Sequence, residues 1–146
     1  MEIDSNVNRL SQIFRARLSD FDRVRSLVEE FADKTRLSGE DRHKLTLIVE
    51  ELFTNTVTHG HKGDSDSPVS ITFQESGTDI ILLYTDAAPP FNPLDGEQST
   101  DIDSSIRKRR VGGLGVFLTT ELVHRATYRY HDGKNSIYLT YSPVRP

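Results

Sequence analysis

Hydrophobic positions near the start of the chain recur with the spacing of an amphipathic helix. They lie three or four residues apart, at Phe21, Val24, Leu27, Val28 and Phe31, so that one face of a helix carries all of them. Ser19 or Asp20 can cap this helix, which is predicted to run to about Lys34. The alternating residues before it, ending at Leu18, predict a strand.

A second helix is predicted to begin after Ser38. The acidic residue Asp41 follows three positions later, which is the spacing of a capping box. Apolar residues then share one helical face, at Leu45, Ile48, Val49 and Leu52. The helix is predicted to run to about His59, because Gly60 and Gly63 are typical residues for ending it.

The apolar pattern of the remaining chain predicts two β-hairpins and a third helix. The hairpin strands are Pro68–Gln74 with Asp79–Tyr84, and Ala126–Tyr130 with Ser136–Tyr141. The second hairpin is predicted to turn through His131-Asp132-Gly133-Lys134. Between the hairpins, a helix is predicted over Gly113–His124.

Residues 86–111 contain prolines, glycines and charges but little apolar periodicity. A segment of that length without regular structure is usually either disordered or a functional lid, and a nucleotide lid is predicted at about residues 88–111. The helices are grouped rather than alternating with strands. The fold class is therefore predicted to be α+β, a mostly antiparallel sheet with helices on one face. The chain is predicted to be one domain over residues 1–146.

Composition and charge exclude several classes of protein. The 146 residues carry a net charge of −4 and include no cysteine. An acidic chain is a poor general nucleic-acid binder, and the absence of cysteine excludes disulfides and fits a reducing cytoplasm. No apolar run is long enough to span a membrane, and the acidic first residues do not form a signal peptide. A cytoplasmic protein that contacts neither nucleic acid nor membrane directly is expected.

Three polar residues form a row on the second predicted helix. Glu51, Asn55 and His59 are spaced four residues apart and would lie beside the apolar face. A Mg²⁺-bound nucleotide would suit them, since an amide oxygen is a hard ligand for Mg²⁺ and a carboxylate one turn away can activate a nucleophile. The ordinary alternative is that Glu51 is solvated and Asn55 forms a local hydrogen bond.

Two further segments carry groups that suit a nucleotide. Asp86 follows an apolar strand, where its carboxylate can accept a hydrogen bond from the exocyclic amine of adenine, although a strand-ending turn also favours aspartate. Gly112, Gly113 and Gly115 precede a predicted helix, where bare backbone and helix N–H groups can approach a phosphate. A helix N-terminus after an ordinary loop is the alternative for these glycines.

Taken in this order, the three segments resemble the Asn box and the two glycine boxes of the GHKL ATPase superfamily. In finer detail they resemble bacterial anti-sigma-factor serine kinases, through the motifs Glu51-x-x-x-Asn55-x-x-x-His59-Gly60, Asp86-x-x-x-Pro90-Phe91-x-Pro93 and Arg109-x-Val111-Gly112-Gly113-Leu114-Gly115. The resemblance covers nearly the whole chain. It implies a Bergerat-type sandwich, the ATPase fold of that superfamily.

The resemblance implies a role for each matching residue. Glu51 would be the general base that activates a substrate hydroxyl, Asn55 would hold Mg²⁺, and Asp86 would bind the adenine amine. The lid would bind the phosphates of ATP through Gly112, Gly113, Leu114 and Gly115. His59 and Lys62 lie near the end of the helix, where Lys62 could reach a phosphate or remain in solvent.

The function that the resemblance implies is regulatory. ATP and Mg²⁺ would serve the phosphorylation of a serine or threonine on an anti-anti-sigma antagonist protein. In another state the protein would bind a sigma factor, and a homodimer is also implied. Two alternatives remain: a non-catalytic module that binds nucleotide and sequesters its target, and a kinase whose partner lies outside any sigma pathway. Glu51 favours a kinase, whereas Ala88 favours the module, because many members of the family have glycine there and a methyl group can crowd adenine.

Overall fold

The computed structural model describes residues 8–92 and 123–143. Its strands are β1 (Arg9–Arg15), β2 (Pro68–Ser76), β3 (Asp79–Asp86), β4 (Val123–His131) and β5 (Lys134–Tyr141). They form one antiparallel sheet of five strands in the order β1-β2-β3-β5-β4. Two α-helices of the described residues, α1 (Phe21–Thr35) and α2 (Gly39–Asn55), pack on one face of this sheet. The predicted α+β class is confirmed.

The core lies between the two helices and one face of the sheet. Along β3 the buried apolar side chains are Ile80, Leu82 and Tyr84. Along β5 they are Ile137, Leu139 and Tyr141. Because neighbouring side chains of a strand point to opposite faces, both strands bury the same face of the sheet. α1 covers that face through Phe31, whose ring stacks on Phe73 of β2 with 5.2 Å between the ring centroids.

Both predicted hairpins are confirmed, and each turns at a glycine. β2 and β3 turn at Gly77, which has a φ of 64°. β4 and β5 turn at Asp132 and Gly133, whose φ values are 53° and 75°. Positive φ at both central residues is typical of a type I′ turn, whose twist matches that of the strands. Aspartate and glycine tolerate this conformation better than other residues.

The boundary predicted between the third helix and the second hairpin is wrong. β4 begins at Val123, so Val123 and His124 belong to a strand and not to the end of the predicted helix Gly113–His124. The apolar residues near Val123 fit either period, because a short apolar run does not distinguish a helix from a strand. The rest of the predicted helix lies outside the described residues, as does the predicted lid at about 88–111 beyond Asn92.

The predicted cap of α2 is confirmed, whereas that of α1 is wrong. The hydroxyl of Ser38 accepts a hydrogen bond from the backbone N–H of Asp41 at 3.1 Å, as expected for an N-cap. Asp20 stands at the N-cap of α1, but its side chain makes no capping bond. The side chain is buried and instead accepts from the backbone N–H of Arg15 at 2.8 Å. This bond ties the end of β1 to the start of α1.

A buried carboxylate joins the start of α2 to the end of β5. Asp41 has no exposed surface and accepts hydrogen bonds from the hydroxyl of Tyr141 at 2.8 Å and from that of Ser38 at 3.0 Å. Burial and the bond to Asp41 together raise the pKa of Tyr141 well above its usual value. The phenol therefore keeps the proton that it donates to Asp41. Hydrogen bonds to a charged group are stronger than neutral ones.

Tyr141→Phe should lower the free energy of unfolding by about 1.5–3 kcal/mol, the range for a hydrogen bond to a charged group. Tyr138→Phe is the matched control, because Tyr138 lies on the same strand with its side chain on the exposed face. That variant should change the free energy of unfolding by less than about 0.5 kcal/mol. Urea unfolding measures both, and equal stability of the two variants would contradict the role given to the Tyr141–Asp41 bond.

Candidate functional site

A narrow cleft lies where the end of α2 meets β3 and β5. It is lined by Leu52, Asn55, Thr56, Gly60, Tyr84, Asp86, Ala88, Phe91, Asn135 and Ile137. The open space at its centre is about 10 Å³, roughly the room that one water molecule needs. Two of the predicted site residues, Asn55 and Asp86, are therefore brought to one place by the fold.

The end of α2 departs from the regular helix that the sequence predicts. The α-helix ends at Asn55, and Thr56–Gly60 form a π-helical turn. Such turns are rare and often occur at functional sites. The spacing that predicts one row for Glu51, Asn55 and His59 holds only in an α-helix. His59 is exposed, does not line the cleft, and stacks on Phe91 with 6.1 Å between the ring centroids.

Asp86 ends β3 with its side chain at the cleft. It is only 8% exposed, and a buried carboxylate costs free energy unless it is hydrogen-bonded. Its Oδ2 accepts from the hydroxyl of Thr56 at 2.6 Å. Its Oδ1 accepts from the backbone N–H of Ala88 at 3.1 Å and from the amide of Asn135 at 2.8 Å. A carboxylate has about four lone-pair positions, so the bonds from the described residues leave Oδ2 able to accept one more.

Thr56 and Tyr84 form the inner side of the Asp86 site. The hydroxyl of Tyr84 lies 2.6 Å from that of Thr56. Because a carboxylate can only accept, Thr56 donates to Asp86, which leaves the oxygen of Thr56 to accept from Tyr84. Burial, with the negative charge of Asp86, raises the pKa of Tyr84 well above its usual value. The phenol therefore keeps the proton that it donates.

Asn135 of β5 is the third group that holds Asp86. It stands directly opposite Asp86 in the register of β3 and β5 and is buried. The amide that donates to the carboxylate also donates to the carbonyl oxygen of Ala88 at 3.0 Å. Asn135 therefore ties the carboxylate to the backbone that follows it.

Ala88 packs directly against Gly60. Ala88 is 2% exposed, and a Cβ added to Gly60 would lie 2.8 Å from the Cβ of Ala88. That separation is shorter than a van der Waals contact between carbon atoms, so no side chain fits at Gly60 while Ala88 is in place. The methyl group of Ala88 therefore fills the space between the segment after β3 and the π-helical turn.

Asn55 and Glu51 occupy successive turns of α2. Asn55 is half-buried and lines the cleft, and within the described residues its side chain has no hydrogen-bond partner. Its amide oxygen is therefore available to a ligand or to a metal ion. Glu51 is half-buried one turn earlier and does not line the cleft.

Of the remaining predicted site residues, only Lys62 lies within the described part of the chain. Lys62 is exposed, has a left-handed backbone with a φ of 60°, and does not line the cleft. Gly112, Gly113, Leu114 and Gly115 lie outside the described residues. The phosphate-binding roles of all these residues stay predictions.

Thr56, Tyr84 and Asn135 carry no sequence motif that marks them as site residues. Thr56 lies 30 residues before Asp86, and Asn135 lies 49 residues after it, so their meeting follows only from helix packing against the sheet for Thr56 and from the register of β3 and β5 for Asn135. One sequence signal could have found Asn135. It occupies an inward position of β5, in line with the buried apolar residues Ile137, Leu139 and Tyr141.

A protein-family model matches residues 14–141, which include every described residue of the cleft. The family is described as the histidine kinase-like ATPase domain. The chain belongs to this family. The match confirms the resemblance to the GHKL superfamily and the Bergerat-type fold that it implies.

Two relatives of this chain are named as protein kinases. The serine/threonine-protein kinase BtrW of Bordetella bronchiseptica is 26% identical over 113 residues, which cover 77% of this chain and 79% of BtrW. The serine-protein kinase RsbW of Listeria monocytogenes is 25% identical over 113 residues, which cover 75% of this chain and 72% of RsbW. These matches confirm the resemblance to the serine kinase group of the superfamily.

A solved structure has the same fold. The crystal structure of the RsbU and RsbW domains of Rv1364c from Mycobacterium tuberculosis superposes with a TM-score of 0.64 at 18% sequence identity. The match covers 95% of this chain and 33% of the other, so this chain spans about a third of that longer chain. At this identity the likeness shows the fold, and it agrees with the histidine kinase-like ATPase sandwich.

Residues 8–92 and 123–143 contain no group of three or more histidine, aspartate or glutamate side chains that could hold a metal ion. In the same part of the chain, no helix is long and apolar enough to cross a membrane.

Gly60→Ala should lower the free energy of unfolding by about 1–3 kcal/mol, the usual cost of overpacking, because the new methyl group would collide with that of Ala88. Ala88→Gly removes the colliding group, so the double variant should recover most of the loss. A double-mutant cycle measured by urea unfolding gives the coupling between the two sites. Simple addition of the two single effects would show that the two residues are not in contact.

Proposed function

We propose that the cleft binds the adenine ring of ATP, with the exocyclic amine donating to Asp86. One observation carries this proposal: Oδ2 of Asp86 keeps an acceptor position although the carboxylate is buried and already held by three donors. A fixed acceptor in a cleft selects a ligand that donates at that point, since any other ligand leaves the acceptor unpaired. The description of the family as an ATPase domain supports adenine as that ligand.

Adenine needs more room than the cleft offers in this structure. The open space is about 10 Å³, whereas ligand pockets usually measure about 300 Å³ or more. Phe91 contributes one wall, and its side chain is 40% exposed where it stacks on the exposed His59. Little burial holds that stack in place, so we expect it to part when a nucleotide enters. Movements of this kind at a binding site are common.

The roles of the other site residues follow from their positions relative to Asp86. Asn55 would hold Mg²⁺, which is supported by its place at the cleft and by a side-chain amide that has no hydrogen-bond partner among residues 8–92 and 123–143. Glu51 would serve as general base, which its place one helical turn before Asn55 supports. A bound Mg²⁺ would neutralise charge on the phosphates. Gly112, Gly113, Leu114 and Gly115 would bind those phosphates, with His59 and Lys62 near the same end of the nucleotide.

The reaction that we propose is the transfer of a phosphoryl group from ATP to a serine or threonine of an anti-anti-sigma antagonist protein. The names of the relatives BtrW and RsbW, both protein kinases, support a protein kinase. In this proposal the protein acts in the cytoplasm as a homodimer, and in a second state it binds a sigma factor.

A second candidate function is that of a non-catalytic module that sequesters its target. The packing of Ala88 against Gly60 favours it, because this contact narrows the cleft beside Asp86. Such a module would need no general base. The two candidates therefore differ in what a change at Glu51 does.

Asp86→Ala should weaken ATP binding by about 1.5–3 kcal/mol, the range for a hydrogen bond to a charged group. It should also reduce the preference for ATP over inosine triphosphate, which carries a carbonyl oxygen in place of the amine. Asp79→Ala is the control, because it removes an aspartate at the other end of β3 that bonds to Ser142. Calorimetry on folded variants measures the affinities. If the Asp86 variant keeps both affinity and preference, the cleft is not an adenine site.

Glu51→Gln should leave nucleotide binding intact and reduce phosphoryl transfer by about 10²–10⁴-fold, the usual contribution of general acid–base catalysis. Glu50→Gln is the matched control on the same helix, because the carboxylate of Glu50 pairs with Arg25 of α1. The measurement is labelled phosphate incorporated into a cognate antagonist domain. Equal incorporation by the Glu51 variant and wild type would exclude Glu51 as the base.

The same assay separates the two candidate functions. A wild-type protein that binds its partner and ATP but transfers no phosphate is the non-catalytic module. Transfer by wild type that depends on Glu51 but not on Glu50 is the result expected of the kinase.

A further inference from the structure

Asn135 is buried among Asp86, the segment after β3, and β4. It is 4% exposed, although asparagine is mostly a surface residue. A buried carboxamide has to be hydrogen-bonded. The bonds of Asn135 therefore show what keeps it in this position.

The amide nitrogen of Asn135 directs both of its protons into the protein. It donates to Oδ1 of Asp86 at 2.8 Å, and the carbonyl oxygens of Ala88 and Pro89 lie at 3.0 Å and 3.1 Å. A carboxamide nitrogen has two protons, so the one not given to Asp86 is shared between the two carbonyls. The nitrogen thus holds the carboxylate and the first residues after β3 in one fixed relation.

The amide oxygen of Asn135 is also fully engaged. It accepts from the backbone N–H of Phe91 at 3.1 Å and from the hydroxyl of Tyr128 on β4. A carbonyl oxygen has two lone pairs, so no position on Asn135 remains for a ligand. Asn135 can therefore act on a bound nucleotide only through the groups that it positions.

We propose that Asn135 is a positioning residue that makes the cleft select a 6-amino purine over a 6-oxo purine. This inference rests on the proposed adenine site. Asn135 holds Oδ1 of Asp86 from the β5 side, which keeps Oδ2 beside Thr56 with its remaining acceptor position. A carboxylate held in this way attracts the amine of adenine and repels the carbonyl oxygen of inosine. Without Asn135 the carboxylate can rotate, and both effects weaken together.

The test compares the binding of ATP, inosine triphosphate and inorganic tripolyphosphate by calorimetry. Asn135→Asp keeps the shape of the side chain but removes both N–H donors and sets a second carboxyl group against Asp86. It should lower the preference for ATP over inosine triphosphate by about tenfold or more, the equivalent of one hydrogen bond to a charged group. The affinity for tripolyphosphate should stay unchanged. A residue that only stabilised the fold would weaken all three ligands alike.

Two further variants complete the experiment. Tyr128→Phe removes one donor to Asn135 and should lower the same preference by a smaller factor, so it decides the outcome if Asn135→Asp does not fold. Ser136→Ala is the control on β5, because its side chain bonds to Thr85 on the other face of the sheet, and it should keep the preference of wild type.

Each result bears on a different claim. If every folded variant of Asn135 and Tyr128 keeps the preference of wild type, this inference is overturned and the adenine site stands. A uniform loss of all three ligands also overturns it, because that is the signature of a purely structural role. If the wild-type protein binds ATP and inosine triphosphate equally, the adenine site is overturned, and this inference falls with it.

Discussion

The carboxylate of Asp86 has to be hydrogen-bonded because it is almost completely removed from water. Its donors come from three parts of the chain, namely Thr56 after α2, the backbone of Ala88 after β3, and Asn135 of β5. Burying this one charge therefore constrains how a helix end, a strand end and a neighbouring strand meet. The cleft lies at that meeting point. The acceptor position that the described residues leave on Asp86 makes the cleft favour a ligand that donates a hydrogen bond there.

The same kind of contact holds both ends of α2 to the sheet. Near its start, Asp41 accepts from Tyr141 of β5, and just after its end, Thr56 donates to Asp86 of β3. Each contact pairs a buried carboxylate with a hydroxyl group, and such charge-assisted bonds are the stronger ones. The position of Asn55 relative to the strand ends is thus set before any ligand binds. A preorganised site loses less free energy to ordering when it binds its ligand.

The contact between Ala88 and Gly60 bears most directly on the choice between an enzyme and a binding module. A kinase has to hold the nucleotide so that the attacking and leaving oxygens of the transferred phosphoryl group are in line. The methyl group of Ala88 takes up space beside Asp86, the residue proposed to bind adenine. Gly60 has no side chain that would collide with this methyl group. Because a side chain at position 60 would collide with the methyl group of Ala88, the alanine at position 88 explains the glycine at position 60.

The sequence by itself determined the local structure and the family. The spacing of apolar residues predicts α1, α2 and both hairpins, and the order of the motifs around Asn55 and Asp86 identifies the superfamily, because these signals come from residues close together in the chain. Only the tertiary structure decided that Thr56, Tyr84 and Asn135 surround Asp86, since Thr56 and Asn135 lie 30 and 49 residues from Asp86 in the chain and meet it through helix packing and strand register. The start of β4 escaped prediction for a related reason, whereas nothing in the residues of Thr56–Gly60 marks a π-helical turn. Short apolar runs fit more than one period, and burial against the rest of the fold selects between them.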